Sequence, residues 1–288
     1  MSQLARFFSV PLLASLVLLA PSVHFPEVSA HGASSPFLLG TVPSLVPIKV
    51  GEKAHVTFRW LGVTVAHGDI ELKERIKHRG RDAWHVVLKV ETTRFLAFLF
   101  PVQDEYHSFI DVESLQSLRF EKIIREGEYR ADEVVEYDHE KKCGYYFSRL
   151  NKSEKTFKTD AVIHDPISAV YWFRSHVAMA VGKTIEVPVN YEEANWRIRV
   201  PMVAKENLEF REKSWKPSIK MKPYIANLKQ HLTDWDATQR EMLSGSKITV
   251  WVEENGNRVP LRVAVKVPLV GSVKIQVTDY WNPSVASV

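Results

Sequence analysis

The 288-residue chain sets 38 Lys and Arg against 34 Asp and Glu, a formal charge of +4, and carries 45% hydrophobic residues with a single cysteine. One cysteine excludes a fold built on an internal disulfide. The small, scattered positive charge favours anionic surfaces but is too diffuse for a nucleic-acid binder.

Met1 to Arg6 carries one positive charge, Phe7 to Ala20 is the apolar run "FFSVPLLASLVLLA", and "VSA" closes the segment at Val28 to Ala30. That layout predicts a secretory signal peptide at residues 1–30, cut after Ala30. Pro11 and an apolar core well short of ~20 residues argue against a retained membrane span. With no cysteine near the cut there is no lipobox, so residues 31–288 are expected as a single β-rich domain in the periplasm or secreted. No later segment is long and apolar enough to span a bilayer.

Period-two alternation follows. "HVTFRWL" puts Val56, Phe58 and Trp60 on one face, and "AWHVVLKVE" does the same with Trp84, Val86, Leu88 and Val90. One-faced strands of this kind belong to antiparallel sheets with one packed side. Gly80-Arg81-Asp82, Glu126-Gly127, Asn255-Gly256 and Gly271-Ser272 supply the turns.

"RFLAFLFPVQDEYHSFID", Arg94 to Asp111, is the least regular stretch. Pro101 suits a break between strands, so Phe95 to Phe100 are expected at a sheet corner, forming the mouth of a cavity. Beyond it Val102, Asp104, Tyr106, Ser108 and Ile110 should share one face, with Glu105, His107, Phe109 and Asp111 opposite. Asp104 and Asp111 then cannot form a local dyad. Glu105 and Asp111 would lie roughly 20 Å apart at strand rise, leaving only partners from another strand.

His139 and Cys143 are two potential ligands, too few for a metal site. Asp165 as N-cap, Pro166 at the first helical position and Gly182 as a stop predict a helix across "HDPISAVYWFRSHVAMAVGK". The basic strip Arg211 to Lys222, with Lys213, Lys216, Lys220 and Trp215, reads as a surface for anionic lipid or an acidic polymer, or as a lysine-guarded strand edge. Tyr224 to Leu243 has amphipathic helical spacing. The last third reads as a hairpin about Asn255-Gly256 and a return strand. No nucleophile elbow, phosphate loop or metal motif occurs, so no cofactor or metal is expected.

The blocks "GEKAHVTFRWLGVTVAHGDIELK", "FPVQDEYHSFIDVESLQSLRFEKIIREGEYRADEVVEYDHEKK", "HDPISAVYWFRS" and "ITVWVEENGNRVPLRV" together resemble a bacterial family of exported proteins known as domain of unknown function 3108. The likeness runs from Val50 to Tyr280 and departs at about 206–245, where the basic strip and the second helix replace a short hairpin. It implies an exported β-rich protein and supplies no catalytic residues.

The expected fold is mainly β: a curved antiparallel sheet forming a half-barrel or open barrel, with one or two packed helices. A cleft under such a helix suits a non-enzymatic role, binding a hydrophobic or amphipathic envelope ligand or a partner protein. Trp60, Trp84, Phe98, Phe100, Tyr106, Phe120, Tyr171 and Trp172 are the candidate lining. The alternative is a hydrolase of envelope polysaccharide, using Asp104 or Glu105 with an acid from a neighbouring strand within ~10 Å.

Overall fold

The period-two segments all become strands of one antiparallel sheet. The structure, a computed structural model, describes residues 46–191, 194–211, 214–227, 247–267 and 271–284. The leader at residues 1–30 lies outside them. Along the chain run β1 (Lys53–Trp60), β2 (Val63–His78), β3 (Arg81–Thr92), a one-turn helix α1 (Arg94–Ala97), β4 (Gln103–Asp111), β5 (Ser117–Glu126), β6 (Tyr129–Asp138), β7 (Cys143–Ser148) and β8 (Glu154–Lys158). Then come α2 (Pro166–His176), β9 (Thr184–Tyr191), β10 (Ala194–Arg211), β11 (Ser214–Met221), β12 (Tyr224–Ile225), β13 (Lys247–Glu253), β14 (Pro260–Val267) and β15 (Gly271–Trp281).

The ladder runs β12-β10-β11-β13-β14-β15-β1-β2-β3-β4-β5-β6-β7-β8, with β9 added on β10. The sheet curls without closing. Side chains of β10 reach across to the β8 edge and the segment after it, as Asn195 Nδ2 donates to the Lys158 carbonyl at 2.6 Å and Arg197 pairs with Asp160. Alternation puts Val56, Phe58, Val86, Leu88, Tyr106, Ile110, Phe120 and Ile124 inside, where Ile167 and Tyr171 of α2 join them. A smaller cluster gathers Val177, Met202, Ile219, Met221 and Val252.

Antiparallel pairing sorts the connections onto two ends. The β1–β2, β3–β4, β5–β6, β7–β8 and β14–β15 connections share one, called here the tip end. Helix α2 is anchored toward the other.

That helix starts where its punctuation says. Asp165 Oδ1 accepts from the Ile167 and Ser168 amides at 2.8 and 2.9 Å, and Oδ2 accepts from the Ser108 hydroxyl at 2.6 Å. Burial pushes the Asp165 carboxyl above its usual range, while these donors oppose the shift. The neighbouring His164, also buried, joins Val189 of β9 in a parallel bridge. Asp165→Ala should therefore cost about 2–3 kcal/mol in urea denaturation, about 1 for the cap and the rest for a stranded Ser108 hydroxyl. An unchanged midpoint would show that the cap carries no weight.

Three expectations need correction. The helix stops at His176 rather than running to Gly182, because Val177 turns extended to enter the smaller core. There the Arg258 guanidinium donates to the Val177 carbonyl at 2.6 Å. The basic strip is an edge only in part: β11 pairs with β10 along its length and with β13 from Ser218 to Met221. Its Lys216 and Lys220 pair with Glu253 and Glu206. Finally, Tyr224–Ile225 are a short strand on β10, not a helix start; residues 228–246 lie outside the described residues.

Candidate functional site

At the tip end the chain leaves β3 through α1 and returns to β4 past Pro101. The loop is pinched at its base, where Thr92 Oγ1 accepts from the Val102 amide at 3.0 Å and the Thr92 amide donates to the Val102 carbonyl at 3.2 Å. So short a loop has no second layer to bury its apolar residues. Phe95 is 83% exposed, Phe98 91% and Leu99 70%.

The β1–β2 turn lies alongside, tied by the Thr93 amide to the Val65 carbonyl at 3.0 Å, and it leaves Leu61 68% and Val63 63% exposed. Singly exposed apolar residues are ordinary, but five large ones on two touching tips form a patch of the kind that marks an interaction site.

Beneath this patch sits a buried carboxyl pair. Asp104 on β4 and Glu126 at the end of β5 both face inward and are 3% and 2% exposed. Asp104 Oδ1 accepts from the Arg125 amide at 3.0 Å, but Asp104 Oδ2 and both Glu126 oxygens meet no external donor. A proton shared between the two carboxyls satisfies them. Burial first, then the Asp104 charge and the bond to it, push Glu126 up to about 9. Burial also raises Asp104, against the Arg125 amide and the shared bond.

The turn above the pair is held by Gly127. Its amide donates to the Pro101 carbonyl at 2.8 Å, its φ is +52°, and the Phe100 ring lies 3.1 Å from where a Cβ would stand. Only glycine leaves room for the ring in that conformation.

Further along the inner face Lys122 on β5 pairs with Glu133 on β6 at 2.8 Å and lies over the Tyr191 ring. Tyr137 donates to Asn190 Oδ1 at 2.8 Å, joining β6 to β9 across the barrel. At the far end Arg174 of α2 donates to Glu52 Oε1 at 2.6 Å, the Asn257 carbonyl at 3.0 Å and the Tyr280 hydroxyl at 3.1 Å. Asn282 completes the knot through Glu52 Oε2 and Asn257 Oδ1. Burial works against the Arg174 charge, but Glu52, Tyr171 and Tyr280 together more than offset it and the guanidinium pKa is raised.

The residues singled out from sequence fall into separate groups. Tyr106, Phe120 and Tyr171 lie in the main core, Trp84 and Trp172 pack against it, and the Tyr106 and Phe120 rings stand 6.2 Å apart. Trp60 and Phe100 are half-buried at the tip end, beside exposed Phe98. Glu105 faces outward, away from Asp104, and contacts Lys89 and His107 at 3.2 Å each. The acid that does meet Asp104 is Glu126, which the spacing within one strand could not reveal. The signal for it was the inward alternation of Phe120, Lys122, Ile124 and Glu126 on β5.

No curated protein sequence matches this chain. Among solved structures, a β-barrel-like protein of domain of unknown function 1849 from Brucella abortus superposes with a TM-score of 0.52 at 8% identity, covering 80% of this chain and 97% of its own. That likeness is one of fold. A protein described as exported, with a YmcC-like fold, from Bacteroides fragilis gives 0.31 at 9% identity, with coverage of 84% and 100%. One described as a lipoprotein from Parabacteroides distasonis gives 0.30 at 7% identity, with coverage of 83% and 99%. Both superpose too loosely to bear on the fold. The sequence itself matches the family described as "Protein of unknown function (DUF3108)" over residues 53–278, and the chain belongs to that family.

Proposed function

We propose that the chain is an exported, non-catalytic protein that binds a hydrophobic or amphipathic molecule of the cell envelope at the tip end of its barrel. The observation that carries this is the exposure of Phe95, Phe98, Leu99, Leu61 and Val63 on two adjoining tips. Each such side chain brings about 1.5–3 kcal/mol when it is covered. Trp60 and Phe100, half-buried at the same end, extend the surface inward. Export rests on the leader-like run Phe7 to Ala20.

The polysaccharide hydrolase is the weaker reading. Asp104 and Glu126 converge as a pair of catalytic acids must, yet both are sealed from water and from any polymer. A general acid has to reach the proton it moves.

Phe98→Asp tests the proposal in a titration with the neutral fluorescent probe N-phenylnaphthylamine. Affinity should fall at least tenfold while the urea midpoint stays in place, since the side chain stands in solvent. Undiminished affinity would refute the site. Release of reducing ends from envelope polysaccharide, lost in Asp104→Asn/Glu126→Gln, would put the hydrolase in its place.

A further inference from the structure

The tips adjoin a surface of one charge sign. Segments 56–66, 247–252, 260–267 and 271–278, which bring β13, β14, β15, β1 and the start of β2 side by side, contain no Asp or Glu. Their outward positions toward the tip end carry Arg59, Lys247, Lys266 and Lys274. All four are exposed, and Arg94 on α1 is exposed beside them.

The register makes this arrangement costly. Arg59 stands directly opposite Lys274, and Lys247 directly opposite Lys266. Like charges facing each other across a ladder destabilise a sheet. Among the described residues none of these four forms an ion pair. Away from the tip end the sheet does the opposite, as Lys122 faces Glu133 and Lys89 faces Glu105, whereas at the tip end Arg125 also faces Arg130 beside the β5–β6 turn. Three like-charged pairs at one end, the end that carries the exposed apolar tips, are what an anionic partner would relieve.

We infer that the tip end docks on an anionic lipid bilayer, with Phe95, Phe98 and Leu99 entering the interface while Arg59, Lys247, Lys266 and Lys274 lie against the headgroups. This rests on the reading of the tip end as the binding end and narrows its partner to a charged lipid surface. Aromatic and leucine side chains insert at the headgroup boundary, and flanking cations add attraction to negative lipids. A protein partner would need apolar and acidic surface in matching order; a bilayer containing phosphatidylglycerol offers both without register. The cations sit within a Debye length of the surface, so the attraction weakens with salt.

The test is flotation of the protein, as its host processes it, with vesicles of phosphatidylethanolamine and phosphatidylglycerol, or of phosphatidylcholine alone. Wild type should float with the anionic vesicles, less so at high salt, and hardly at all with phosphatidylcholine. Lys266→Gln/Lys274→Gln should bind anionic vesicles about 30-fold more weakly, about fivefold for each cation, while keeping its affinity for N-phenylnaphthylamine. Phe98→Asp should lose both. Equal flotation on the two vesicle types, no flotation at all, or a lysine variant that floats like wild type would each overturn the bilayer inference. Retained probe binding in any of these cases would leave the broader reading standing, whereas a wild type that binds no probe would bring that down as well.

Discussion

Arg174→Met should lower stability by about 3–5 kcal/mol, read as a shift of the urea midpoint. Arg174 and Glu52 are 5% and 4% exposed at their side chains, so removing the guanidinium strands a carboxylate in the protein interior. The same change withdraws donors from the Asn257 carbonyl and the Tyr280 hydroxyl and lifts the cation off the Tyr171 and Tyr280 rings. A buried ion pair is weak support for stability when both partners go, and strong when only one does. Arg174→Met/Glu52→Leu should therefore recover part of the loss. A single variant within about 1 kcal/mol of wild type would mean that water reaches Glu52.

Glu126→Gln should change how stability responds to pH. An ordinary glutamate titrates at 4.5, while Glu126 in the fold is pushed up to about 9. Between those limits the folded chain keeps a proton that the unfolded chain releases, so stability falls as pH rises, by at most about 1.4 kcal/mol per pH unit. Below 4.5 the contribution is fully present, and above 9 it is lost. Glutamine offers Asp104 an N–H donor and cannot titrate. The variant should accordingly show a flatter dependence across pH 5–9 and a midpoint above wild type at the alkaline end. Asp104 and Lys122 remain as the charges acting on the position. An unaltered slope would show that the pair holds no extra proton.

The strands were legible because their chemistry is local. Alternation at Val56, Phe58 and Trp60, or at Val86, Leu88 and Val90, needs no knowledge of the partner strand, and Asp165-Pro166 names a helix start by itself. Curvature and the packed helix α2 followed from a sheet with one greasy side. What depends on register was not legible. Asp104 meets Glu126 only because of how β4 and β5 align, and the opposition of Arg59 to Lys274 joins residues from the two ends of the chain.

Competition between local and tertiary preference accounts for the rest. Helical spacing from Tyr224 gave way at its first two residues to a pairing with β10. Helical preference beyond His176 gave way to burial of Val177. The aromatics misled for a different reason. Tyr106 and Phe98 look alike as letters, yet one sits on a strand's inner face and the other on a loop too short to fold over itself.

The pairing of β1 with β15 sets the order in which the fold can be completed. Lys53 is aligned with Trp281, 281 − 53 = 228 positions away. As the chain emerges from its N-terminus, β1 can find β2 at once, but its other edge stays bare until the last strand arrives. Neighbours so distant make folding slow, and an open edge is a template for the wrong strand. For the export proposed above this delay would be of use: a sheet that cannot lock before its final strand is made stays threadable until the whole polypeptide has crossed.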